Sequence, residues 1–272
     1  CYYFVNWTGD MGGNISDVNS ANTSITMNGN YSIWANFAIN TSTITATNGS
    51  NGTITPWGAV PVNCGNNSSF SIVPAYCYHI DSIEVNGSPV SLTSGDIYAG
   101  GYYNFSNVVS DYTINATFAI NTYNLNLSVN GSGSIDRGNG SFNCEQIVTF
   151  NASPDACYHF VNWTGSGVVA GAVANASAAS TAITMNNSYS VQANFAIDQF
   201  TLTYNASAGG SITGTTPQTV NCGADGAQVT ANPAACYHFV NWSDGLATAS
   251  RTHTNVLGDI TVTANFAIDT FT

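Results

Sequence analysis

Cys157-Tyr158-His159-Phe160-Val161-Asn162-Trp163-Thr164-Gly165 decides how the rest of the chain is read, because it has copies. Cys1-Tyr2-Tyr3-Phe4-Val5-Asn6-Trp7-Thr8-Gly9 precedes it, and Cys236-Tyr237-His238-Phe239-Val240-Asn241-Trp242-Ser243 follows it. A divergent copy stands at Cys77-Tyr78-His79-Ile80-Asp81-Ser82-Ile83. The opening cysteines are 76, 80 and 79 residues apart. A second marker, Asn-Phe-Ala-Ile, recurs at 36–39, 194–197 and 265–268, with Thr117-Phe118-Ala119-Ile120 as its variant. Self-similarity at a fixed period is the signature of a repeat architecture. The markers divide the chain into the C-terminal half of a repeat (1–39), a divergent repeat (40–120), two further repeats (121–197 and 198–268) and the start of another (269–272).

Each repeat reads as β. Tyr123 to Val129 alternates apolar and polar, which suits a half-buried strand. Asn130-Gly131 supplies a turn able to take positive φ. Gln146 to Phe150 is a β-branched strand closed by Pro154, and Tyr158 to Trp163 is the next strand. Ala182 to Met185, Asn186-Asn187 and Tyr189 to Phe195 read as a hairpin, as do Ile25 to Met27, Asn28-Gly29 and Tyr31 to Phe37. No helical period of useful length occurs, although the loop from Gly165 to Ser180 has room for one short helical turn. The expected fold class is therefore all-β: small β-sheet modules of about 70–80 residues strung end to end, with one disulfide each.

Composition bounds the function. The 272 residues hold 2 Lys+Arg (Arg137 and Arg251) against 14 Asp+Glu, a net charge of −12. Without a cationic patch, electrostatic binding to nucleic acid or an anionic membrane is excluded. No apolar run approaches the ~20 residues a membrane-spanning helix needs. Charged residues make up 6% of the chain, so hydration falls to 35 Asn and 60 Ser plus Thr, or to groups attached to them.

Seven cysteines follow the repeat. Cys64 and Cys77, Cys144 and Cys157, and Cys222 and Cys236 lie 13, 13 and 14 residues apart. The spacing predicts three disulfides, Cys64–Cys77, Cys144–Cys157 and Cys222–Cys236, with Cys1 an orphan. Each would contribute about 3 kcal/mol by closing a short loop. Zinc is the rival reading, but it takes about four ligands, and each repeat offers two cysteines and one histidine. No metal and no cofactor is expected. Disulfides place the chain in an oxidising compartment, extracellular or at the cell surface. Because Cys1 fits the repeat register, 1–272 reads as a window of a longer repeating chain.

The sequon Asn-X-Ser/Thr occurs 21 times, where random placement gives about 8. Twenty of them are the candidate glycan acceptors: Asn6, Asn14, Asn22, Asn30, Asn40, Asn48, Asn51, Asn66, Asn86, Asn104, Asn115, Asn126, Asn130, Asn139, Asn151, Asn162, Asn175, Asn186, Asn205 and Asn241. Turn chemistry accounts for the Asn-Gly cases. It does not account for Asn6, Asn162 and Asn241, which precede tryptophan at a strand end. Strict alternation puts Asn162 on the same face as Phe160, so a solvent-facing Asn162 requires a bulge or leaves that sequon unused.

Across essentially its whole length the chain resembles the divergent internalin-B-type repeat of bacterial surface proteins. The matching pieces are Ser132 to Ile135, Val148 to Pro154, Tyr158 to Gly165, Ile183 to Met185 and Ala193 to Ala196. Tyr78 to Gly87 is similar to a second flavour of the same repeat. The resemblance implies β-rich modules in tandem, forming stalks and spacers without catalysis. The chain departs from the pattern in its cysteines, its density of sequons and its lack of lysine.

The residues themselves carry no catalytic constellation. His79, His159 and His238 occupy one repeat position, glutamate is confined to Glu84 and Glu145, and no strained Gly-X-Ser-X-Gly elbow occurs. The expected function is structural and non-enzymatic: an extracellular fibre, filament or stalk, N-glycosylated and self-associating through continuous chain or strand donation. The alternative is an adhesin or carbohydrate-binding module using exposed aromatics. Trp7, Trp163 and Trp242 read as core, which leaves Trp57 and Tyr102-Tyr103 as the solvent-facing candidates. A fibre predicts interchangeable repeats; a binding module predicts one distinctive repeat, and 55–110 is the distinctive stretch.

Overall fold

The computed structural model describes residues 1–10 and 13–270, in two compact units, Cys1–Thr122 and Tyr123–Thr272. Phe271 and Thr272, the end of the expected further repeat, lie outside the described residues.

The first unit carries β1 (Tyr2–Asp10), β2 (Ser32–Ile39), β3 (Thr41–Asn48), β4 (Gly52–Thr55), β5 (Gly58–Asn63) and β6 (Ser68–Pro74). It continues with β7 (Tyr78–Val85), β8 (Ser88–Val90), β9 (Ser94–Asp96), β10 (Gly100–Phe105) and β11 (Tyr112–Ile120). β1 and β2 form a two-stranded antiparallel sheet. The others form two sheets, ordered β5-β3-β11-β7-β8 and β4-β6-β10-β9. Ile44, Ile80 and Ile114 from the first meet Ile54, Phe70 and Ile72 from the second in one buried cluster.

The second unit begins with β12 (Thr122–Asn130), β13 (Gly133–Ile135), β14 (Gly140–Asn143), β15 (Gln146–Pro154) and β16 (Tyr158–Thr164). After the short helix α1 (Ser166–Val169) come β17 (Ser180–Met185), β18 (Tyr189–Ile197), β19 (Gln199–Ala206), β20 (Gly210–Thr213) and β21 (Gln218–Asn221). β22 (Val229–Pro233), β23 (Tyr237–Trp242), β24 (Ser250–Arg251) and β25 (Ile260–Ile268) complete it. The topology is written twice, as β14-β12-β18-β16 over β13-β15-β17 and as β21-β19-β25-β23 over β20-β22-β24. The fold is all-β, and the loop expected to hold a helical turn holds α1.

One local expectation is overturned. β17 and β18 are not a hairpin. β17 pairs with β15, from Gln146↔Met185 to Asn151↔Ser180, whereas β18 pairs with β12 and β16 in the other sheet. The Asn186-Asn187 turn therefore carries the chain between sheets. Apolar residues on both flanks explain this, because Ile183 and Met185 face Val191 and Ala193 across one buried core. The equivalent early segment behaves likewise: Ile25 bridges Ile15, and β2 pairs with β1.

The tryptophans anchor the cores. Trp163 is 1% and Trp242 0% exposed. An indole N–H cannot be buried unpaired without cost, and each finds a backbone carbonyl: Trp163 Nε1 donates to Ala178 O at 2.9 Å, and Trp242 Nε1 to Thr248 O at 3.0 Å. Trp7 makes the same bond to Ser20 O at 3.0 Å.

The last repeat also buries a charge. Arg251 lies under Trp242, its guanidinium carbon 5.0 Å from the indole ring, and its fork donates to both oxygens of Asp244 at 3.0 and 2.7 Å. Its Nε has no hydrogen-bond partner. Arg251 Nη2 lies 2.5 Å from His253 Nε2 and can only donate, so Nε2 accepts. His253 therefore carries its proton on Nδ1 and donates it to the Tyr204 hydroxyl, 2.8 Å away. Burial, reinforced by the Arg251 charge, lowers the His253 pKa from its ordinary 6.5, with Asp244 opposing. The unfolded chain therefore takes up this proton more readily than the folded one. The contribution is intact above pH ~6.5 and is lost as the pH falls below that value. His253→Gln is expected to flatten this part of the acid limb in urea unfolding followed at several pH values. An unchanged limb would refute the assignment.

Candidate functional site

The chemistry-bearing residues gather where one repeat hands over to the next. A single residue, Asp198, separates β18 from β19, and a single residue, Asn40, separates β2 from β3. Asp198 N donates to Cys157 O at 2.8 Å and Asp198 O accepts from Cys222 N at 2.8 Å. Asn40 repeats this with Cys1 O at 2.7 Å and Cys64 N at 2.8 Å. The cysteines so placed are bonded: Cys1–Cys64, with Cα atoms 5.3 Å apart, and Cys157–Cys222, at 5.5 Å. Cys77 and Cys144 are also disulfide-bonded.

The pairing expected from spacing is thus corrected. Cys64 bonds Cys1 and not Cys77, Cys157 bonds Cys222 and not Cys144, and Cys222 does not bond Cys236. Cys1 is no orphan; Cys236 is the free, exposed thiol. The reason lies in strand direction. β19 and β25 run parallel, while β21 and β23 pair antiparallel with them on either side. Cys222 therefore sits beside the start of β19 and Cys236 beside the end of β25. β25 is nine residues long, and at ~3.3 Å per residue that leaves the two sulfurs tens of ångströms apart.

The repeated histidine faces the same junction. His159 Nδ1 lies 2.6 Å from Asp198 Oδ1, His238 Nδ1 lies 2.9 Å from Asp269 Oδ1, and His79 Nδ1 lies 2.8 Å from Asn121 Oδ1. Asp269 N also donates to Cys236 O at 2.8 Å, the first half of the junction pattern. The co-recurrence of His159 with Asp198 and of His238 with Asp269 was a readable signal for this contact.

The sequon asparagines are all exposed or half-buried. The register shifts between Phe160 and Asn162, as it does between Phe4 and Asn6 and between Phe239 and Asn241. This bulge frees Asn162 from the alternation that would have tied it to Phe160. Asn194 Nδ2 then donates to both Asn162 Oδ1, at 2.9 Å, and Thr164 Oγ1, at 3.0 Å. Asn36 makes the equivalent pair with Asn6 and Thr8, both at 2.9 Å, and Asn265 reaches Asn241 Oδ1 at 2.9 Å. Elsewhere the acceptor nitrogen itself is engaged: Asn151 Nδ2 donates to Asp136, Asn130 Nδ2 to Asn194, and Asn48 Nδ2 to Gly52 O. Of the distinctive aromatics, Trp57 is 72% and Tyr102 50% exposed, whereas Tyr103 packs on Phe105 at 5.0 Å.

The profile of the divergent InlB B-repeat domain matches residues 1–41, 123–199 and 200–270. The chain belongs to the divergent InlB B-repeat family. The match leaves out 42–122, so the InlB-type pattern and the extra strands β8 and β9 fall in different parts of the chain. Among solved structures, the chain is similar to the Bacillus anthracis TIE protein, at 7% sequence identity and a TM-score of 0.35. That alignment covers 89% of this chain and 54% of the other, so this chain spans about half the length of that structure. No curated protein matches. Among the described residues, no helix of this InlB-type repeat protein is long and apolar enough to cross a membrane.

Proposed function

We propose that this chain is a structural, non-catalytic surface repeat protein that builds an extracellular fibre or stalk and carries N-linked glycans. Tandem repetition in a family of bacterial surface repeats supports the coarse reading. The observation that carries the finer one is the junction. One residue links consecutive repeats, hydrogen-bonds to both neighbours, and is flanked by a disulfide that ties one repeat to the next. Length is then added by near-identical units that contact mainly their neighbours.

Within a whole repeat the first strand covers the last: β12 pairs in parallel with β18, and Val191 and Phe195 are 1% and 6% exposed there. Continuous chain or a strand donated by another copy supplies such a covering strand equally well, and self-association by either route belongs to this reading. The bulged sequons at Asn6, Asn162 and Asn241 recur at one position in every repeat but the divergent one, where Ser82 stands, and are the acceptors this reading favours.

Electron cryo-microscopy of native material, with mass measurement of peptides covering the sequons, tests the proposal. Filaments with a β-rich axial repeat, and sequon peptides heavier than their sequence mass by whole glycans, are expected. Discrete monomers with unmodified sequon peptides would overturn it.

A further inference from the structure

The divergent segment outside the family match holds a cleft of about 370 Å³. It opens between β7 and the added segment that carries β8 and β9. Ile80 and Ile83 are buried in its floor, and Val90 and Leu92 continue that apolar surface. Two aspartates, Asp81 and Asp96, complete the lining. The wall is fixed by close backbone approach: Ile80 N donates to Ile97 O at 2.8 Å, and a Cβ on Gly101 would fall 2.1 Å from Ser94 O.

Both carboxylates are partly used and partly open. Asp96 Oδ1 accepts from Tyr98 N at 2.7 Å and Ala99 N at 2.9 Å, and Asp81 Oδ2 accepts from Thr117 Oγ1 at 3.3 Å. Those backbone bonds hold the Asp96 carboxyl below its ordinary pKa, so it is ionised at neutral pH. Asp81 Oδ1 and Asp96 Oδ2 accept from no protein donor in these bonds. No lysine or arginine exists anywhere in Cys1–Thr122 to neutralise them.

An apolar floor beside two acceptor-only charges fits one chemistry. We infer that the cleft binds an aliphatic primary ammonium, such as a lysine side chain of a partner protein. The methylene stem lies on Ile80, Ile83, Val90 and Leu92, and the ammonium takes the open oxygens of Asp81 and Asp96. An ammonium is a compact donor of three hydrogen bonds, and a charged donor on a carboxylate is roughly twice as strong as a neutral pair. Residues 1–272 contain no lysine, so a second copy of this segment does not supply the occupant. This inference goes beyond the structural reading and does not rest on it, since a stalk and a free monomer present the same cleft.

The test is a methyl NMR titration of the full chain with 1,5-diaminopentane, beside 1,5-pentanediol and methyl glucoside. The amine is expected to move the Ile80, Ile83, Val90 and Leu92 methyls and not those of the repeats in Tyr123–Thr272. Asp81→Asn with Asp96→Asn keeps the oxygens that accept from Thr117, Tyr98 and Ala99. It is expected to weaken binding about tenfold, as two charge-assisted contacts are lost, with the other methyl positions unchanged. Three results would each overturn the inference: no shifts with the amine, unchanged affinity in the double variant, or equal shifts with the diol. Shifts with the glucoside alone would assign the cleft to saccharides and overturn it as well.

Discussion

Trp163→Ala is expected to cost about 3–5 kcal/mol, the range for deleting a buried large aromatic. Trp163 is 1% exposed and meets Phe150 edge-on at 4.8 Å and Phe160 at 5.4 Å. Removing it opens a void where β16 packs across to β15. It also strands the Ala178 carbonyl, which now accepts from the indole. A domain's net stability is only about 5–15 kcal/mol, so the loss consumes much of it. Urea unfolding followed by circular dichroism reads the effect without relying on the deleted fluorophore. Trp57→Ala is the control: at 72% exposure it is expected to stay within about 0.5 kcal/mol of the parent chain. A loss under about 1 kcal/mol at Trp163 would mean that the recurring Cys-Tyr-His-Phe-Val-Asn-Trp segment does not anchor the repeat core.

That segment was also where the sequence was most legible, and the physical reason is local. Tyr158 to Trp163 alternates, recurs and ends in a large apolar residue, so strand, burial and repeat follow from one stretch. What failed was anything set by a distant partner. The Asn186-Asn187 turn has hairpin chemistry, yet β17 and β18 diverge because β15, 29 to 39 residues earlier, claims the first and β12, 64 residues earlier, the second. The bulge at Phe160–Asn162 was posed by the sequence as a conflict between a buried Phe160 and an outward Asn162. Only the register with β18 resolves it. In the divergent repeat, Ser82 Oγ and Thr117 Oγ1, 2.8 Å apart, replace the asparagine pair seen elsewhere, and the cleft opens beside them. Composition flagged that repeat as distinctive through Trp57, Tyr102 and Tyr103. The cleft itself depends on how the segment after Asn86-Gly87 folds back on β7, which no local pattern announces.

Breaking Cys157–Cys222 by the double substitution Cys157→Ser and Cys222→Ser is expected to destabilise the second unit by about 4 kcal/mol. Chain entropy sets the size: the bond closes a span of 65 residues, and a loop of that length is worth about 4 kcal/mol against about 3 for one of roughly 13. The longer loop also changes what the bond does. A disulfide within one repeat would staple a turn, whereas this one ties the start of β16 to the end of β21 across Asp198. Its loss is expected to uncouple the unfolding of 121–197 from that of 198–268, visible as a broadened or split thermal transition. Alkylation with peptide mapping makes the connectivity itself testable. In the parent chain the labelled thiol is expected at Cys236, and Cys222→Ser is expected to add label at Cys157. Pairing within repeats predicts the reverse: label at Cys1 in the parent, and at Cys236 when Cys222 is removed. Label at Cys1 would therefore overturn both the junction and the stability argument built on it, because a bond of short span cannot hold two repeats together.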